Sequence, residues 1–174
     1  MKQLFVICSL LVFSSSIFAQ QSVKKFYNKY KHYDEVTSVK VQGWMIKSVL
    51  AFVEDFEGDD IVKKVTKLRV LTMENENLVS SKDFNELVKD AKAEDFEDLM
   101  TIRDGTTNVR FMIKETDKKI KNLLVLVSES DEFVLISLEC NLKWKDLKNI
   151  DFDKVDGGEV FEKLPTKKKD VPRA

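Results

Sequence analysis

Two strongly apolar runs, Leu123–Val127 and Phe133–Leu138, flank the polar stretch Ser128-Glu129-Ser130-Asp131-Glu132, and no other stretch restricts the fold as much. Branched and aromatic residues on either side of turn formers predict a β-hairpin with a loop of about five residues. Both runs are apolar on both faces. Leu123, Val125 and Val127 point one way and Leu124 and Leu126 the other, the pattern of strands covered on two sides. The hairpin therefore belongs in the middle of a sheet. It locates the core without naming any chemistry. One face, with Leu123, Val125, Val127, Val134, Ile136 and Leu138, is expected to meet the buried helices. Leu124, Leu126, Phe133 and Leu135 fall on the other, and four large side chains left in water would forgo about 1.5–3 kcal/mol each. The first helix is the cover available within the chain; failing that, these four residues form a self-association surface or a partner contact.

The first nineteen residues are expected to be a secretory signal peptide rather than part of the fold. Met1-Lys2 is a short positive start, Leu4–Phe13 an apolar run, and Ser14–Ala19 a small-residue segment, with cleavage expected after Ala19. The apolar run is far below the roughly 20 residues needed to cross a bilayer. Cys8 sits inside that run behind bulky Ile7 rather than at its end, so a lipid-anchored cysteine is not expected. Removing the leader leaves about 155 residues, enough for one domain with a real core, here residues 20–162. Cys140 is then the one cysteine left, so no internal disulfide can form. The whole chain carries 29 basic and 30 acidic residues. Residues 163–174 hold Lys163, Lys167, Lys168, Lys169 and Arg173 against Asp170, a basic tail expected to be disordered behind an acidic body. An acidic body is a poor nucleic-acid surface. No later segment is apolar for long enough to span a membrane, and the expected location is the periplasm or beyond.

Taken in order, Ser22 can cap a helix to about Tyr33 whose stripe is Val23, Phe26, Tyr27, Tyr30 and Tyr33. Val36–Gln42 alternates as a half-buried strand. Gly43-Trp44 opens a second helix to about Phe56, apolar around more than half its circumference and so expected to be the most buried. Thr66–Met73 reads as a strand, Asn75–Asn77 as a turn, and Ser80-Ser81-Lys82-Asp83 as a capping box for a third helix to about Lys92. Glu97–Arg103 and Asn108–Lys114 around Asp104-Gly105 predict a further hairpin. A short helix follows at Trp144–Ile150. The order predicts an α+β fold: one mostly antiparallel sheet ending in a four-strand meander, with the second and third helices on one face.

The pattern Phe26-Tyr27-x-x-Tyr30, Val36-Thr37-Ser38-Val39, Trp44-Met45-Ile46, Asp98-Leu99-Met100-x-x-Arg103-Asp104-Gly105, Ile120-x-Asn122-Leu123-Leu124-Val125-Leu126-Val127, Leu135-Ile136-Ser137-Leu138 and Leu142-x-x-x-Asp146-Leu147 resembles the small exported proteins of Bacteroidetes grouped as domain of unknown function 4252. The resemblance covers roughly Val23 to Ile150. It implies an exported or envelope-attached α+β domain with no assigned activity and no catalytic residues to carry over. Members commonly show a glycine just after the last core strand, where this chain has Cys140-Asn141.

Candidate chemistry is sparse. His32 is the single histidine, and no HExxH or CxxC spacing accompanies it, so it reads as solvated rather than as a ligand. Cys140 continues the face of Val134, Ile136 and Leu138 and reads as a buried apolar residue rather than a nucleophile. Glu54, Asp55, Glu57, Asp59 and Asp60 do not follow calcium-loop spacing and read as a solvated helix end. With five glycines in all, the chain has neither a phosphate loop nor a GxSxG elbow. The tyrosine stripe of the first helix reads as its docking face. No cofactor is expected. These residues favour a non-catalytic domain that binds an envelope protein or a small apolar ligand, with homo-oligomerisation open to it. An enzyme with dispersed carboxylates, for instance acting on glycans, and a structural subunit of an envelope assembly are the alternatives.

Overall fold

The computed structural model describes residues 21–50 and 63–147. The expected leader, the acidic run Glu54–Asp60 and the basic tail lie outside them. The elements in chain order are α1 (Gln21–Tyr30), β1 (Val36–Gln42), α2 (Gly43–Leu50), β2 (Val65–Met73), α3 (Ser81–Ala93), β3 (Glu97–Asp104), β4 (Thr107–Thr116), β5 (Lys119–Ser128), β6 (Phe133–Leu142) and α4 (Trp144–Leu147). The six strands form one sheet in the order β1-β2-β6-β5-β4-β3, with every neighbouring pair antiparallel. This is the α+β fold expected, with β3 to β6 as its meander. The β5–β6 hairpin holds the two central places, and its loop closes between Ser128 and Phe133.

Local chemistry fixes the turns. Asp117 and Lys118 both adopt positive φ, 53° and 59°, as a two-residue hairpin turn requires. Gly105, at φ 55°, begins the loop that joins Asp104 to its cross-strand neighbour Thr107. Past Cys140 β6 runs on: Asn141 N–H donates to the Lys64 carbonyl at 2.9 Å, and Leu142 pairs with Ile120.

The sheet separates two apolar clusters. On one side Leu71, Met73, Met112, Leu124, Leu126, Phe133 and Leu135 meet Val23, Phe26, Tyr27 and Tyr30 of α1 and Phe84, Leu87, Val88 and Ala91 of α3. The Phe26 ring stands 5.6 Å from Phe133 and 4.8 Å from Tyr30, in the range of favourable tilted aromatic pairs. On the other side Phe111, Ile113, Ile120, Leu123, Val125, Cys140 and Leu142 are buried, with Trp144 of α4 packed against them. One expectation is corrected here: the third helix lies with the first over Leu124, Leu126, Phe133 and Leu135, not over the opposite face of the central hairpin. Both faces of the central hairpin are apolar, so periodicity alone gave α3 no preferred side.

Candidate functional site

The four residues singled out as a possible partner contact, Leu124, Leu126, Phe133 and Leu135, are all fully buried under α1 and α3. They form core, not surface. α1 supplies the cover, held at both ends by side chains of α3 and its cap. At its start, Ser22 N–H donates to Glu94 Oε1 at 2.7 Å. At its end, Lys29 Nζ pairs with Asp83 Oδ1 at 2.8 Å and Tyr30 Oη donates to Asp83 Oδ2 at 2.8 Å. The two helices therefore run antiparallel.

Asp83 also belongs to the start of α3, where its backbone N–H donates to the N-cap Ser80 Oγ at 3.1 Å and Ser80 Oγ donates back to Asp83 Oδ2 at 2.8 Å. Lys29, then Ser80, then Tyr30 lower its pKa to about 2. Beside it lies a shallow cavity of about 100 Å³ lined by Ser22, Phe26, Lys29, Asp83 and Leu87 among others. An acid so firmly ionised is a poor proton donor at neutral pH, and both its oxygens are already engaged.

Two further charged clusters are equally committed to structure. On the helix-covered face of the sheet, Lys67 Nζ contacts both Glu139 oxygens at 2.8 Å. Buried Arg69 places Nη1 3.0 Å from Glu139 Oε1, an ion pair without an aligned hydrogen bond. Asp146, also buried, accepts from Lys143 N–H at 2.7 Å and pairs with Lys64 at 3.0 Å. The backbone donor first, and Lys64 with it, hold its carboxyl below the usual range against the opposing effect of burial. Cys140 is free and buried, and burial pushes its thiol up to about 11, which leaves it protonated and unreactive at neutral pH. His32 is exposed. Among the described residues no group of three His, Cys, Asp or Glu side chains could hold a metal ion, and no helix is long and apolar enough to cross a membrane.

The feature that sequence reasoning missed lies at the sheet's first edge. The exposed large hydrophobic residues of the described chain are Tyr33, Val39, Trp44 and Met45, at 50, 43, 69 and 42 % exposure. All four lie on β1 or within a few residues of its ends. This corrects one expectation, since β1 is mostly exposed rather than half-buried; Trp44 and Met45 at the start of α2 are exposed too, and the rest of the stripe expected to bury that helix, Val49 to Phe56, lies outside the described side chains. The physical reason is shared. β1 is an edge strand, and α2 starts from its last residue, so neither has sheet on its outer side. Gly43 is pinned at the junction, where an added Cβ would collide with the Val65 carbonyl and stand 2.9 Å from Thr66 Cα.

The two edges of the sheet differ. β3 carries Glu97, Asp98, Arg103 and Asp104, and its pairing slips by a bulge between Asp98 and Met100. Charges and bulges are how proteins discourage an edge from accepting another strand. β1 pairs with β2 through seven residues without a slip and has one charged residue, Lys40. With one charge and an unbroken pairing, it is the less guarded of the two edges among the described residues. Spacing in the sequence held part of the signal, since Val39, Trp44 and Met45 are apolar; what it lacked was the strand order that exposes them.

No curated protein and no solved structure matches the chain. A family model described as Domain of unknown function (DUF4252) matches residues 30–150, and the chain belongs to that family.

Proposed function

We propose that this chain is an exported envelope domain that acts by binding a protein rather than by catalysing a reaction, with the outer side of β1 and its apolar flanks as the contact surface. The observation that carries this reading is the exposure of Val39 on an edge strand, with Tyr33, Trp44 and Met45 exposed within a few residues of the strand's ends. Such an edge accepts an extended segment by backbone hydrogen bonding, and neighbouring apolar side chains supply affinity. The state of the acids supports binding over acid–base chemistry, because Asp83 and Asp146 are each held ionised by a cation and further donors. The leader pattern in Met1–Ala19 supports export.

Two measurements test the reading. Mass spectrometry of protein from the native envelope should find a first residue at Gln20 or within a few residues of it; retention of Met1 overturns export. A photo-reactive amino acid in place of Trp44 should give a protein adduct in the envelope that Val39→Lys removes. Absence of any protein adduct overturns the binding surface.

A further inference from the structure

We infer that docking of α1 closes the leader-cleavage site, so that removal of the leader is confined to chains in which α1 has not yet settled on the sheet. The inference rests on the export reading above and states when, relative to folding, the leader is lost.

A peptidase takes its substrate as an extended strand over several residues on each side of the bond it cuts. With cleavage expected after Ala19, the residues on the body side are Gln20, Gln21, Ser22 and Val23 in turn. Gln21 is already the first residue of α1. Extended chain rises about 3.3 Å per residue and helix about 1.5 Å, so the first turn of α1 must unwind before these residues can be presented. Helix ends ordinarily fray at little cost, but this one is pinned twice. Ser22 N–H, one of the first-turn donors that a helix leaves without an internal partner, donates to Glu94 Oε1 at 2.7 Å. A carboxylate at that place also meets the positive end of the helix. The second pin is burial: Ser22 is 7 % exposed and Val23 0 %, and Val23 shares its cluster with Phe26, Tyr27 and Tyr30. Extending Ser22 and Val23 therefore breaks the bond to Glu94 and returns a fully buried side chain to water. Lys29 and Tyr30 hold the other end of α1 to Asp83, so the helix cannot slide along α3 to give slack. Burial thus begins at the third residue past the bond, closer than the extended stretch a peptidase requires.

The test uses the full chain, Met1 to Ala174, folded in detergent and incubated with a signal peptidase. The folded parent should be cut slowly. A variant with about six Gly and Ser residues inserted between Gln20 and Gln21 should be cut roughly tenfold faster or more, because cleavage of a site that must open first follows the population of the open form. The body from Gln21 onward is unchanged in that variant, so its thermal midpoint should match the parent's. Glu94→Ala, which removes the acceptor of Ser22 N–H, should fall between the two. Parent chain diluted from urea directly into the assay should be cut at the faster rate until it refolds, and this arm decides the matter even if the insertion disturbs α1. Equal rates for the folded parent, the inserted variant and the chain from urea overturn the inference and leave export standing. If no chain is cut near Ala19, even from urea, the export reading fails and the inference fails with it.

Discussion

Asp83 is a carboxylate whose position was legible in the sequence and whose importance was not. Ser80 three residues before it, ahead of an apolar stripe, marks a helix start, and the structure has that cap. Nothing local indicates that Lys29 and Tyr30, on another helix, converge on the same carboxylate. Ser80→Ala should cost about 1 kcal/mol in a urea titration, the usual loss for an N-cap hydroxyl. Cys140 was legible for a similar reason, since strand alternation placed it on the apolar face where it lies buried. Leu126 provides a harsher test of the core. It is fully buried beneath α1 and α3, so Leu126→Asp should destabilise by upward of about 3 kcal/mol, through a charge with no partner. A variant that melts with the parent would contradict the cover assigned to α1.

At the scale of elements, period and turn chemistry located the helices and strands, and long-range choices escaped them. The hairpin around Gly105 and the start of α3 follow from a few adjacent residues each. The side of the sheet chosen by α3 follows from its crossing between β2 and β3, two strands with three others between them. The side-chain exposure of β1 and of Trp44 and Met45 follows from the same strand order. Gly43 marks the junction where this matters most. Any side chain there meets the backbone of Val65 and Thr66, which cannot rotate out of the way as a side chain can. Gly43→Ala should therefore lower the thermal midpoint, with a loss of about 1–3 kcal/mol typical of forced overpacking. An unchanged midpoint would show that the β1–α2 junction is looser than its geometry implies.

Across the whole molecule, acid is the condition to which the protein should be most sensitive. Asp83, Asp98 and Asp146 all have pKa values depressed in the folded state: Asp83 chiefly by Lys29, Asp98 by Lys92 and Arg110 against the larger single effect of burial, and Asp146 chiefly by the Lys143 backbone. A depressed folded pKa gives stability that is present above the unfolded value of about 4 and lost as pH falls through the folded one. Stability should therefore decline from about pH 4 toward pH 2. Asp83→Asn should flatten that decline, and an unaltered acid profile would show that the Lys29–Asp83 ion pair to α1 contributes nothing. At this scale the sequence was most informative about the centre, because a hairpin apolar on both faces has few places to go. It was least informative about the edges, where what matters is which strand happens to have no neighbour.

The antiparallel pairing of β2 with β6 has a consequence for the time course of folding. β3, β4, β5 and β6 each follow their neighbour in the chain, so their contacts are short-range and close quickly. β2 instead joins Met73 to Phe133 and Val65 to Cys140, and it can gain its inner neighbour only after the last strand has been made. Until then the β1–β2 ribbon has no sheet to dock on, and α1 lacks Phe133 and Leu135 beneath it. The amino-terminal half should thus stay uncommitted throughout synthesis, a state that would suit the export proposed above. Ribosome-stalled chains ending at Glu132 should accordingly show backbone amides of β1 and β2 exchanging as freely as in an unfolded peptide, and extension beyond Leu142 should protect them together.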